Sequence, residues 1–327
     1  MAQIVLGLGS SHSPQLSTPP EIWPLHAERD QRNPDLRDTD GRVYAYEELL
    51  ARAGSSLHKE LTPDTWERRY DACQRGITRL GEILAAVTPD VLVIVGDDQK
   101  ELFHDDNMPA LLVYWGDTIR NVPRYASASP SPALQAAAWA YGESTQDYPV
   151  AAGLAKHLIG ALIDQEFDVA HSRGLPPAQG MGHAFSFIYG RIMPSQVIPT
   201  VPVMLNTYYP PNQPTPKRCY AIGQALRQAI ESWPNNSRVA IIASGGLSHF
   251  VVDEELDQLT ITAMQSKDAT ALSSLPRERL NSGNSEIRNW IAVAGAVEHL
   301  DMQLIDYVPC YRSPAGTGCA MAFAQWR

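Results

Sequence analysis

Short apolar runs recur along the chain, each closed by a polar turn. Ile4-Val5-Leu6, Val91–Val95, Ala110–Tyr114, Val201–Leu205 and Val239–Ile242 are too short for helices and rich in β-branched residues, so they predict buried strands. A short strand at Asp168–Ala170 and two runs near Leu304–Val308 and Cys319–Phe323 complete that set. Between them the apolar spacing changes to a helical one. Tyr44–Arg52 predicts a short helix, and Thr62-Pro63-Asp64 supplies an N-cap with proline at the first helical position. The helix that follows runs to about Ala86, with Trp66, Tyr70, Cys73, Ile77, Leu80 and Leu84 on one face. Further helices are predicted over Val150–Gln165, Lys217–Ser232 and Glu286–Leu300. Strands alternating with helices imply an α/β architecture.

Two stretches lack periodicity. Ser10 to Arg42 is polar and rich in proline; a loop this long in a compact protein usually serves function, and it follows His12, so it predicts a wall or lid. Residues 116–149, rich in Ser, Pro, Ala and Tyr, read as an inserted excursion. No internal repeat is evident.

Composition narrows the function classes. The 327 residues are 44% hydrophobic and 19% charged, ordinary for a globular chain with a large core. A net charge of -10 and the lack of any basic run argue against nucleic acid. No apolar stretch reaches the roughly 18 residues that would span a bilayer. The start of the chain lacks a signal peptide's charged and apolar regions, and the four cysteines form no C-x-x-C pair. Both features predict a cytoplasmic protein with reduced, core cysteines.

The chemistry-bearing residues stand where predicted strands end: His12 in Gly9-Ser10-Ser11-His12-Ser13-Pro14, Asp97-Asp98-Gln99, and His249 in Gly245-Gly246-Leu247-Ser248-His249. In α/β sheets the crevice beyond the strands' carboxyl ends is where ligands bind, so these blocks can converge although distant in sequence. His183 sits in a similar Gly-punctuated turn. His26, His58, His104, His157, His171 and His299 read as surface or hydrogen-bonded histidines. The acidic candidates are Asp97, Asp98, Glu101 and Glu286, the last at a helix start where the dipole alone would favour it. Two imidazoles and a carboxylate on one face of a metal leave positions open for substrate and dioxygen, and a further histidine can move a proton.

These blocks, with Pro89–Phe103, Asn107-Met108-Pro109, Gly182–Ser186, Tyr209-Pro210-Pro211, Lys217–Gly223 and Ser285–Trp290, occur in an order that resembles a known family. It is the class III extradiol ring-cleavage dioxygenases, of the protocatechuate 4,5-dioxygenase β-subunit type. Residues 13–60 and 116–149 match it poorly. The resemblance implies a mixed central sheet flanked by helices, in one catalytic domain over 1–327 with a long loop at 13–42 and the excursion at 116–149. It places His12 and Glu286 at metal-ligand positions, His249 at the acid/base position, and His183 against substrate or oxygen.

One position departs from the family. Its second histidine ligand lies in an Asn-Asp-His turn, where this chain has Asp97-Asp98-Gln99, so an altered metal shell with Gln99 as ligand is expected. Asp97, Asp98, His58 or His104 are substitutes. Fe(II) is the expected metal; an oxygen ligand tilts the site toward Mn(II) or Mg(II), and a metal-free chain is the remaining case. Thr317, in Pro314–Gly318, and Arg312 fall near the family's substrate-carboxylate region. The expected partners are a small aromatic substrate and dioxygen, in a homo-oligomer whose small subunit is separate or absent. The alternatives are a silent partner subunit and a different metal-assisted reaction, such as hydrolysis.

Overall fold

The computed structural model describes residues 1–123, 138–142, 144–194 and 196–327. Its strands are β1 (Gln3–Ser10), β2 (Leu36–Arg37), β3 (Val43–Tyr44), β4 (Val91–Gly96), β5 (Leu111–Tyr114), β6 (Thr118–Asn121), β7 (Gln146–Pro149), β8 (Ala170–Ser172), β9 (Thr200–Leu205), β10 (Arg238–Ser244), β11 (His249–Val251), β12 (Met302–Tyr311) and β13 (Thr317–Trp326). The α-helices are α1 (Trp23–Asp30), α2 (Tyr46–Ala53), α3 (Pro63–Val87), α4 (Ala152–Asp164), α5 (His183–Phe187), α6 (Pro216–Ser232), α7 (Glu254–Gln265), α8 (Ala269–Ser273) and α9 (Ile287–Ala296).

Nine strands form one mixed sheet in the order β11-β13-β1-β10-β4-β9-β5-β8, with β12 on β13. The central strands β1, β10, β4 and β9 are parallel, while β13 runs antiparallel to β1, and β5 to β9. All six residues of β4 are buried. Alternate side chains face opposite layers, as the two-residue period of a strand requires. Val91, Val93 and Val95 pack in a core with residues of α4, α6 and α9, and Leu92 and Ile94 in a second core with α3 and α5. Along β1 a register shift between Ile4 and Leu6 lets Ile4 join the first core while Leu6 and Leu8 join the second. Helices thus cover both faces, which is why the strands read as continuous apolar runs.

Helix α9 is buried along its whole length. It lies against α6 at a distance only glycine permits: a Cβ on Gly223 would stand 1.9 Å from the Ala292 carbonyl oxygen, and one on Gly295 2.3 Å from that of Tyr220. Among the described residues no helix is long and apolar enough to cross a membrane, and all four cysteines are buried and free.

The structure departs from the expected elements in four places. The aperiodic stretch after His12 contains α1, whose polar stripe hid it from an apolar-period reading. The strand expected at Asp168–Ala170 lies at Ala170–Ser172, paired with β5. The helix expected from Glu286 begins at Ile287, after a 3-10 turn over Ser282–Glu286. Within the excursion, β6 pairs with β7; residues 124–137 and 143 lie outside the described residues.

Candidate metal centre and active site

Register brings the strand-end blocks together. Ser10 pairs with Ser244 and Ala243 with Val95, so the turns carrying His12, Gly245-Gly246 and Asp97 are neighbours at one edge of the sheet. The loop after β10 leads to His249, and the 3-10 turn before α9 carries Glu286 over the same edge. One donor atom each from His12, His183 and Glu286 lies within 4.8 Å of the others. Above them a cavity of about 490 Å³ is lined by these residues together with Gln99, His249, Phe187, Phe250 and Tyr141.

Hydrogen bonds fix which nitrogen each imidazole presents. The Ser244 hydroxyl donates to the Ala184 carbonyl at 2.6 Å, so it accepts from His12 Nδ1 at 3.0 Å. That leaves His12 Nε2 with a lone pair, buried, without a hydrogen-bond partner, 3.7 Å from Glu286 Oε2. His183 Nδ1 donates to Glu101 Oε2 at 2.8 Å, so its Nε2 is the atom left for a metal. A carboxylate behind a histidine in this way fixes the ring and raises its basicity as a ligand. Glu286 Oε1 accepts from Gln99 Nε2 at 2.8 Å and Oε2 from the Gly246 N–H at 2.5 Å. Two imidazoles and a carboxylate, one nitrogen orphaned in a buried site, fit a non-haem divalent metal of the Fe(II) type.

Charge follows from burial and neighbours. Burial lowers His12 to about 4, only partly opposed by Glu286, which keeps the ring neutral as a ligand must be. Burial opposes the charged form of Glu286 too, but the nearby His249 and His12 outweigh it and hold the carboxyl at about 2. At His249 and His183 burial is likewise outweighed, by Glu286 and by Glu101 respectively, and each is raised to about 9; a divalent cation held at Glu286 would oppose the charged form of both rings.

His249 presents its ring to the same cluster. Its Nδ1 donates to the Leu247 carbonyl at 2.8 Å, leaving Nε2 toward the site, 3.5 Å from Glu286 Oε1. Asn284 Oδ1 accepts its backbone N–H at 2.8 Å. Gly283 is required beside it, because a Cβ there would stand 1.9 Å from the His249 carbonyl oxygen.

The expected altered shell is corrected by these contacts. Gln99 turns its amide nitrogen to Glu286, since a carboxylate accepts and only the amide NH₂ can donate. His183, expected only against substrate or oxygen, stands in the cluster instead, its ring centroid 4.6 Å from that of His12. Asp98 caps a turn, accepting from the N–H groups of Glu101, Leu102 and Phe103. Asp97 is buried and accepts from Asn289 at 3.3 Å, and burial raises its pKa well above the usual carboxylate range. His58 and His104 do not line the cavity, and His104 is exposed.

Arg312 is buried and lines the cavity, but both of its forked contacts go to Asp30, at 2.7 Å each. Thr317 is buried with its hydroxyl 2.7 Å from that of Ser313 and is not among the lining residues. The sequence reading missed His26 and Tyr141. His26 lines the cavity, held 3.0 Å from the Thr18 hydroxyl and lowered to about 3 by burial and the charges of Arg312 and Arg29. Its signal was the polar spacing His26, Arg29, Asp30, Asn33, one face of a helix extended by a turn. Tyr141, whose hydroxyl donates to Glu101, sits in the aperiodic excursion and carried no such signal.

The class this fold and site define agrees with the comparison to known families. Residues 55–315 match the catalytic LigB subunit of aromatic ring-opening dioxygenase, and the chain belongs to that family. It is 37% identical over 119 residues to the gallate dioxygenase of Pseudomonas putida, a match covering 35% of this chain and 34% of that protein. It is 30% identical over 161 residues to the 2,3-dihydroxyphenylpropionate/2,3-dihydroxicinnamic acid 1,2-dioxygenase of Comamonas testosteroni, covering 49% of this chain and 43% of that one. The matches therefore span a third to a half of these relatives' own lengths.

Proposed function

We propose that this chain opens a catechol-like aromatic ring beside its hydroxyls, incorporating both atoms of dioxygen, at a non-haem Fe(II) held by His12, His183 and Glu286. The observation that carries this reading is the convergence of those three donors within 4.8 Å, with His249 Nε2 beside them. Bound there, the metal would supply a positive centre at which catechol oxygens and dioxygen meet.

The protein's own groups do the rest. His249 Nε2, its other nitrogen committed to Leu247, accepts a proton from a catechol hydroxyl and later returns it. Gln99 and Gly246 keep both Glu286 oxygens in place, and Glu101 keeps the His183 ring from rotating. Phe187, Phe250 and Tyr141 wall the cavity with aromatic surface, which suits a flat ring and displaces water. The complete triad also weighs against a silent subunit, which has no need of it.

The test is turnover of catechols under labelled oxygen gas by the Fe(II)-reconstituted protein. Two labelled atoms in an opened-ring product are expected. A product without label would assign the site to hydrolysis or another metal-assisted reaction.

A further inference from the structure

The cavity has a second polar end, built by α1. His26, Arg29, Asp30 and Asn33 all line it, from a segment outside the residues 55–315 that match the family. Charge at this end does not balance. Arg312 and Asp30 neutralise each other through two contacts of 2.7 Å. His26 is uncharged near neutral pH, its pKa lowered to about 3. Arg29 remains: among the described residues its side chain has no hydrogen-bond or ion-pair partner, although the whole chain carries a net charge of -10. It is exposed yet lines the cavity, so it stands at the mouth. The volume of about 490 Å³ leaves room beyond a single catechol ring for a substituent.

We propose that Arg29 is a specificity-determining residue that receives a carboxylate borne on the aromatic substrate, with Arg312 held out of that role by Asp30. A guanidinium presents a planar fork that matches a carboxylate's two oxygens. Among the described residues that line it, the rest of this end offers an anion no unpaired cation to compete and no free carboxylate to repel it. The aromatic nucleus of the ligand rests on the ring-opening reading; the anion contact does not.

The test compares 3,4-dihydroxybenzoate with its methyl ester, which keeps the ring and removes the charge. Binding to the metal-loaded protein is measured without oxygen, in the wild type and in Arg29→Gln and Arg29→Lys. A hydrogen-bonded charged contact corresponds to roughly 10- to 100-fold in affinity. The wild type is expected to prefer the acid over the ester. Arg29→Gln is expected to lose that preference by about tenfold or more, and Arg29→Lys to keep part of it. An acid-to-ester ratio equal in wild type and Arg29→Gln would overturn the assignment. Oxygen uptake with the same ligands separates the two readings: no uptake in the wild type speaks against ring opening, while the affinity ratio still decides Arg29.

Discussion

Three imidazoles at the site share one device: Nδ1–H is committed to a protein acceptor and Nε2 is left over. The acceptors differ, and so do the roles. A neutral hydroxyl behind His12 and a carboxylate behind His183 suit ligands, the second the more basic. A backbone carbonyl behind His249 suits the proposed base, which the metal need not hold. His249→Ala removes that base and leaves the three donors in place. Turnover of a catechol, followed by oxygen uptake, is expected to fall by roughly 10²- to 10⁴-fold, with Fe(II) retained at one equivalent. Loss of the metal along with activity would place His249 among the ligands instead. Glu286 read by position only as a helix-start acid and took its ligand role from the family resemblance, while His12 and His249 were legible as candidates because each sits at a sharp boundary between apolar run and turn. The true role of the Gln99 position was not. Which end of an amide faces a carboxylate, and whether a histidine far along the chain fills the vacated place, depend on packing that spacing does not encode.

Among elements, the sheet is what converts scattered turns into a site. The strands β1, β4 and β10 were visible as apolar runs, but their adjacency is a matter of pairing order, which the runs alone leave open. Short polar elements were harder. Helix α1 buries Trp23, His26 and Asp30, so its inward face is largely polar and gives little hydrophobic period. The His249 loop has a support of the same hidden kind. Asp257 on α7, fully buried, accepts from the Ser248 N–H and hydroxyl and from Tyr307 on β12. Burial, only partly offset by those donors, raises its pKa to about 7. A carboxyl that binds its proton more tightly when folded contributes stability that is full below its ordinary pKa and is lost as pH rises through the folded one. Asp257→Asn does not titrate. Its urea midpoint relative to the wild type is therefore expected to rise between about pH 4 and pH 8. A constant difference across that window would show that Asp257 titrates normally in the folded chain.

For the molecule as a whole, two helical layers close over a sheet whose parallel centre aims several loops at one edge, and the metal centre is assembled from four widely separated segments. No segment holds a site by itself: His12 follows β1, His183 opens α5, and Glu286 precedes α9, with Gln99 after β4 as a brace. Such a centre exists only in the folded chain, so metal affinity reports directly on its assembly. The same dependence gives the sharpest distinction between a shell built on Gln99 and one built on His183. Anaerobic Fe(II) titration of the wild type, Gln99→Ala and His183→Ala, each checked for an intact fold by circular dichroism, decides between them. One equivalent of Fe(II) is expected to bind to the wild type and to Gln99→Ala, with affinity in the latter weakened by roughly 10- to 100-fold through the loss of a hydrogen bond to a ligand. His183→Ala is expected to lose stoichiometric binding. Full binding by His183→Ala, with loss in Gln99→Ala, would contradict the account.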